Sequence, residues 1–333
     1  MLRIPFDKLF EELQRVFIKL GFHENNAEIM ARTMAENTCD GVASHGLNRV
    51  HMIARQIKEG YVKVDAVAQK AVSFAAWEQW EGNSGPGVLN AHICTDRAMA
   101  LAVEQGIGCV ALRNTNHWMR GGTYGWKAAN AGYLFICWTN TKPNMPPWGG
   151  LETRIGNNPF IFAVPYKKGA LVLDMAMTQF SYGKLETMEI RGEKLQYNGG
   201  FDTAGRLTKE PREILDTELG LPIGYWKGAG LALMLDIFAA TLAGGRSTYD
   251  IGQLSDESDV SQVFLAFNIS KMAKNNLSDE IVSNTIRYIK SVKHRNPDED
   301  VLYPGERALR TRNDNLANGV AVDEMRWHEL RAM

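Results

Sequence analysis

Only four cysteines occur in 333 residues, and no two of them form a CxxC pair. Cys39, Cys94, Cys109 and Cys137 are scattered, which excludes a disulfide framework and reads as reduced thiols packed as small apolar residues. No basic block exists and the formal net charge is −1. Electrostatic capture of nucleic acid or an anionic membrane is therefore not expected. No run of about 18 apolar residues offers a bilayer span. Arg3, Asp7, Lys8, Glu11, Glu12 and Arg15 interrupt the N-terminus too densely for a signal peptide, so the expectation is a soluble, cytoplasmic protein. The chain lacks GxGxxG, GxxxxGK(S/T), HExxH and EF-hand loops, which disfavours a Rossmann dehydrogenase and a P-loop enzyme. Its seven histidines share no ligand spacing, so no metal is expected. Internal repeats and low-complexity tracts are absent as well.

What is present is an ordinary globular balance of 45% hydrophobic and 23% charged residues. Phe6, Leu9, Phe10, Leu13, Val16, Phe17 and Leu20 recur at helical spacing until Gly21 ends the pattern. A second helix is expected over 24–38. A third is expected from an N-cap at Ser44, with Val50, Ile53, Ala54 and Ile57 on one face and its end at Gly60. The centre is mixed. Residues 71–81 read as an extended segment and 88–105 as a helix, and 108–112, 133–139, 160–164, 171–175 and 263–269 have strand length between turn signals. An apolar helix over 228–242 stops at Gly244-Gly245, and helical stripes return around Ile281–Ile289 and 323–331. The expected organisation is a helical domain made by both termini (1–75 with 278–333) beside an α/β domain (76–277).

Several short motifs carry chemistry. Ser44-His45-Gly46-Leu47-Asn48-Arg49 puts a histidine and an arginine four residues apart at an expected helix start, on one face. Such a start attracts anions, arginine can grip a carboxylate with two N–H groups, and histidine titrates near neutrality. The alternative is a capping serine followed by two solvated side chains. Asn114–Trp126 contains Asn116-His117-Trp118-Met119-Arg120-Gly121-Gly122, which suits either a ligand loop or a packed aromatic turn. Met145-Pro146-Pro147-Trp148-Gly149 and Gly156-Asn157-Asn158-Pro159 have turn chemistry. Lys227, in Gly224-Tyr225-Trp226-Lys227-Gly228, either meets a phosphate or faces water. Pro304-Gly305-Glu306-Arg307 is either an anion contact or a proline-led helix start.

In this order the motifs are similar to those of the non-Rossmann malate/L-lactate dehydrogenase family, and the resemblance runs from the SHGxxR segment to the PGER segment. Within that family they most resemble the branch that reduces dicarbonyl sugar acids. The resemblance implies an α/β fold with a largely antiparallel central sheet, surrounding helices and a helical domain from both termini. It further implies a homodimer using NADH, with NADPH weaker, in which a 2-keto acid accepts hydride reversibly. His45 would be the acid/base, His117 would line the cleft or move the proton itself, and Arg49 would hold the substrate carboxylate with Asn157 nearby. Leu173, Asp174, Met175, Ala176, Trp226, Lys227, Gly305, Glu306 and Arg307 match the cofactor-binding positions. Asn157 stands where many relatives have threonine, and Met177 follows Ala176 where they often have Thr-Ser. Asp40 and Glu186 are the candidate carboxylates for orienting His45. Other chemistries of the family (malate, ureidoglycolate or cyclic-imine carboxylates) remain open, as does a non-catalytic sugar-acid-binding role.

Overall fold

A computed structural model describes residues 2–166, 169–271, 277–296 and 298–333. The chain opens with strand β1 (Leu2–Ile4) and helices α1 (Phe6–Lys19) and α2 (Glu24–Cys39). Two 3-10 turns, Ala43–His45 and Leu47–Arg49, lead into α3 (Val50–Lys58). The hairpin β2 (Gln69–Phe74) and β3 (Trp77–Glu81) precedes α4 (Gly87–Gln105), β4 (Ile107–Thr115), α5 (Gly122–Asn130) and β5 (Tyr133–Thr139). After β6 (Phe160–Val164) and β7 (Leu171–Met175) comes an excursion of α6 (Tyr182–Ile190), β8 (Gly200–Phe201), β9 (Leu207–Thr208) and α7 (Pro211–Thr217). The chain returns through α8 (Trp226–Ala243), α9 (Thr248–Ile251) and β10 (Val260–Asn268). It finishes with α10 (Leu277–Lys290), α11 (Glu306–Asn318), β11 (Val320–Val322) and α12 (Glu324–Ala332).

The main sheet has seven strands in the order β2-β3-β4-β10-β5-β6-β7. Every pairing in it is antiparallel except β3 with β4. This is the expected largely antiparallel architecture, and it leaves no Rossmann crossover sheet. Its central strands read as nearly continuous apolar runs because both faces are covered. Alternation along the strands sends Phe135, Cys137 and Phe264 toward α4 and α5, and Ile136, Trp138 and Val263 toward α8. A separate core joins the two ends of the chain, with Leu13 and Phe17 of α1 packed with Met34 of α2, Val320 of β11 and Trp327 of α12. There β1 pairs with β11.

Two expectations about elements need correction. Gly121, Gly122 and Gly125 do not loosen a loop; they let α5 approach the sheet. A Cβ at Gly121 would sit 2.2 Å from Ile161 Cδ1, and one at Gly125 would sit 2.9 Å from Ile161 Cγ2. Helix α8 is also longer than the 228–242 stretch, and its 18 residues give it the length and composition to cross a membrane. One face nonetheless packs on the sheet through Ala232, Leu235, Ala239 and Ala243.

Phe264 has no exposed surface, sits mid-sheet and contacts the rings of Trp118 and Tyr124. Phe264→Ala should cost about 3–5 kcal/mol, read from urea unfolding. A loss under about 1 kcal/mol would mean that this core is loosely packed.

Candidate active site

The sequence places His45 and Arg49 four apart, and the fold brings them together by a different route from the expected helix face. Gly46 (φ −124°, ψ −128°) lies outside the helical and extended regions and separates the two 3-10 turns, so α3 starts at Val50 and Ser44 caps nothing. Only glycine fits there, because a Cβ would lie 2.2 Å from Thr38 Oγ1. That hydroxyl accepts the Leu47 N–H at 2.9 Å, which pins the turn to α2. Ser44 Oγ instead hydrogen-bonds His45 Nδ1 at 3.1 Å.

His117, at the end of β4, lies face to face with His45 at 5.8 Å between ring centroids. Its Nδ1 accepts the Met119 N–H at 2.9 Å, so the neutral ring carries its proton on Nε2. Burial first, then Arg49, push His45 down to about 4, against an opposing pull from Asp174. Burial, followed by His45 and Arg49, depresses His117 strongly. Among the described residues Arg49 has no carboxylate partner; Nη1 touches Met52 Sδ at 3.5 Å, and its buried Nε has no acceptor. The acid whose charge it meets is Glu257, beyond salt-bridge distance, so a half-buried guanidinium with no carboxylate in contact, beside two neutral imidazoles, suits an anion. A cavity of about 620 Å³, lined by Lys142, Arg154, Tyr249 and Asp256 among others, includes neither histidine. The site is placed at the histidines, because perturbed titration beside an unpaired cation is the chemistry that cavity lacks.

The carboxylates expected to orient His45 do not do so. Asp40 is spent on Arg120 and Arg312, and Glu186 is exposed on α6. Asp174 is the acid whose charge favours a proton on His45. No sequence spacing connects them; the register of β7 does.

The expected cofactor positions converge. Val172 of β7 donates its N–H to Pro304 O at 3.1 Å, which lays Leu173–Ala176 beside Gly305. Met177 N–H donates to Asn157 O at 2.7 Å and Ile223 N–H to Met177 O at 2.8 Å, which joins these segments to the start of α8. There Trp226 and Lys227 are exposed, and Tyr225, at φ +62°, stacks near Trp148 with ring centroids 5.2 Å apart. Asn157 Oδ1 accepts from Asn144 Nδ2 at 3.0 Å, and Asn157 N–H donates to Asn144 Oδ1 at 2.7 Å, a reciprocal lock. The Glu306 carboxylate is held by Lys290 at 2.6 Å and Arg310 at 2.7 Å, while Arg307 stays exposed. Two buried donors here lack partners, Thr178 Oγ1 just past Ala176 and Trp126 Nε1 beside Gly305. Unsatisfied donors next to a cationic helix start suit an amide- and phosphate-bearing dinucleotide.

The excursion between β7 and α8 was not anticipated from sequence. It has its own small core of Leu185, Met188, Leu195 and Ile214. Its α6 approaches the histidine turn at Gly183, where a Cβ would lie 3.2 Å from Ser44 Cβ.

A profile of the malate/L-lactate dehydrogenase family matches residues 4–331. The chain belongs to that family. It is therefore an oxidoreductase, of a dehydrogenase family that typically uses a nicotinamide cofactor and acts on small molecules. It is 40% identical over all 333 residues, and over the full length of both chains, to the 2,3-diketo-L-gulonate reductases of Citrobacter koseri and Escherichia coli. Among solved structures, the family's malate dehydrogenase from Pyrococcus horikoshii superposes with a TM-score of 0.89 at 29% identity, covering 99% of this chain and 94% of that one. The delta1-piperideine-2-carboxylate reductase from Pseudomonas syringae shares the fold, with a TM-score of 0.88 at 23% identity over 100% and 99% of the two chains.

Buried neutral histidines make stability pH-dependent. Burial and Lys127 hold His92 at about 3, and His45 and His117 are lowered as well, from 6.5. The unfolded chain gains protons below about 6.5 that the folded chain refuses, so this stability is fully present above 6.5 and lost as pH falls toward the folded values. The urea midpoint should drop between about pH 7 and pH 5, and drop less in His92→Gln. Equal drops in the two proteins would exclude His92 as a contributor.

Proposed function

We propose that the chain reduces 2,3-diketo-L-gulonate to 3-dehydro-L-gulonate with NADH, reversibly. The observation that carries this reading is the unpaired Arg49 guanidinium beside the facing His45 and His117 rings. The full-length similarity to 2,3-diketo-L-gulonate reductases supports the choice of substrate.

Arg49 binds the substrate carboxylate and thereby fixes the adjacent ketone, where positioning contributes much of the rate. When bound, the nicotinamide supplies hydride to the ketone carbon. His45 gives a proton to the ketone oxygen, and His117 offers its Nε2–H as a second donor. His45 is a poor proton holder in the empty cleft partly because Arg49 repels the charge. A carboxylate that neutralises Arg49 removes that repulsion, so substrate binding itself prepares His45 to carry the proton. Leu173, Asp174, Met175 and Ala176, with Trp226, Lys227, Gly305 and Arg307, form the cofactor side in this reading, and Asn157 the substrate side. Lys227 serves the pyrophosphate common to both cofactors, consistent with NADH preferred over NADPH.

The same reading includes a cytoplasmic homodimer. Four free thiols support the compartment. Leu231, Met234, Ile237 and Phe238 of α8 are each 39–52% exposed, an apolar face that a second copy would cover. The core shared by the chain ends supports the division into a helical unit (1–75 with 278–333) and an α/β unit (76–277).

His45→Asn should fold and bind NADH normally while kcat falls about 10²-fold or more. A near-normal kcat would move the proton-transfer role to His117.

A further inference from the structure

Arg120 follows the apolar pair Trp118-Met119, and its side chain is only 7% exposed. A buried guanidinium must find carboxylates. Its Nη1 donates to Asp40 Oδ2, and its Nε to Asp174 Oδ2 at 3.3 Å. The two acids are not equally dependent on it. Asp40 is also gripped by Arg312 through two hydrogen bonds, Nε to Oδ1 and Nη2 to Oδ2. Asp174 has no other cation among the described residues; its remaining donor is the Gly122 N–H at 3.0 Å. Arg120 is thus redundant for Asp40 and indispensable for Asp174.

The histidine turn is tied to the same place. Asn37, 1% exposed, donates to His45 O at 2.9 Å and accepts from Thr123 Oγ1 at 2.8 Å. Gly122 and Thr123 are neighbours in the first turn of α5, so one turn holds both the His45 backbone and the Asp174 carboxylate. The fit is tight, since a Cβ on Gly122 would lie 2.6 Å from Asp174 Oδ2.

We propose that Arg120 is a positioning residue for the reaction, clamping Asp174 against α5 as a fixed, charge-balanced counter-ion facing His45. The proposal rests on the proton-transfer role assigned to His45. The groups around this clamp are few. Asp40 and Glu36 of α2 and Asp174 of β7 act with Arg120, and Asp174 also acts on the Cys137 thiol. His45 feels Arg49, Asp174 and Arg120 and lies against the His117 ring. Asp174 favours a proton on His45 while Arg120 and Arg49 oppose it. Losing the Arg120 cation both removes a repulsion and leaves Asp174 uncompensated, and the two effects have the same sign.

The test is a histidine C–H NMR titration of the full-length chain, with the His45 signal assigned from its absence in His45→Asn. In Arg120→Gln the His45 midpoint should rise by about half a pH unit or more. In Arg312→Gln, which strips a cation from Asp40 and Glu36 but not from Asp174, it should stay in place. With NADH and 2,3-diketo-L-gulonate, Arg120→Gln should move the limb of the kcat–pH profile set by His45 upward by the same amount and leave KM nearly unchanged. Adding Arg120→Gln to His45→Asn should cost nothing more. If Arg120→Gln fails to fold by circular dichroism, Asp40→Asn/Arg120→Gln carries the same titration. An unmoved midpoint, or an equal shift in Arg312→Gln, overturns the proposal. Undiminished turnover in His45→Asn instead defeats the His45 assignment, and the titration still judges the clamp.

Discussion

Asp40 is a carboxylate with 2% of its side chain exposed, and its neutralisation constrains everything near the cleft. A charge so buried is tolerated only with cations and hydrogen bonds in place. Arg312 reaches it from α11 and Arg120 from the segment between β4 and α5, so two regions nearly two hundred residues apart meet at the end of α2. Asn315 adds a hydrogen bond to Cys39 O at 2.7 Å, closing the same junction. Arg120 extends the network to Asp174 of β7, in the segment proposed to face the cofactor. Removing Asp40 would take the shared carboxylate from the buried Arg120 and the partly buried Arg312, so the junction of the sheet, the terminal helices and the site depends on it.

The site uses the opposite condition. Arg49 has no carboxylate in contact and a buried Nε without an acceptor, beside imidazoles kept neutral by burial. An enzyme that must hold a small anionic ketone gains from storing that unsatisfied charge, since the ligand then completes the electrostatics on arrival. Burial of both rings preserves the strength of each charge interaction there.

Much of this was legible in the sequence, for physical reasons. Strands β5, β6 and β7 fall at the expected 133–139, 160–164 and 171–175 because glycines and prolines bracket runs too short for helices. The motif order identified the family, and His45, Arg49 and His117 do meet. Three features were hidden. Gly46 reads as an ordinary helix residue unless the packing of Thr38 behind it is known. The motif around Arg120 left a ligand loop and a packed aromatic turn equally open, and the close helix–sheet approach of its glycines shows only in the packing. The pairing of Asp174 with Arg120 spans 54 residues, and only strand register brings it about. The excursion over 178–221 went unseen because its helices are short and weakly patterned, and its core consists of a few residues.

The central claim is that Arg49 selects an acid and, in binding it, prepares His45. The most direct measurement compares kcat/KM for NADH-dependent reduction of 2,3-diketo-L-gulonate with that for its uncharged methyl ester. The account predicts a loss of about 10²-fold or more for the ester, the scale of leaving a buried charge unpaired, and a much smaller ratio in Arg49→Gln. Equal turnover of acid and ester by the wild-type chain would contradict it.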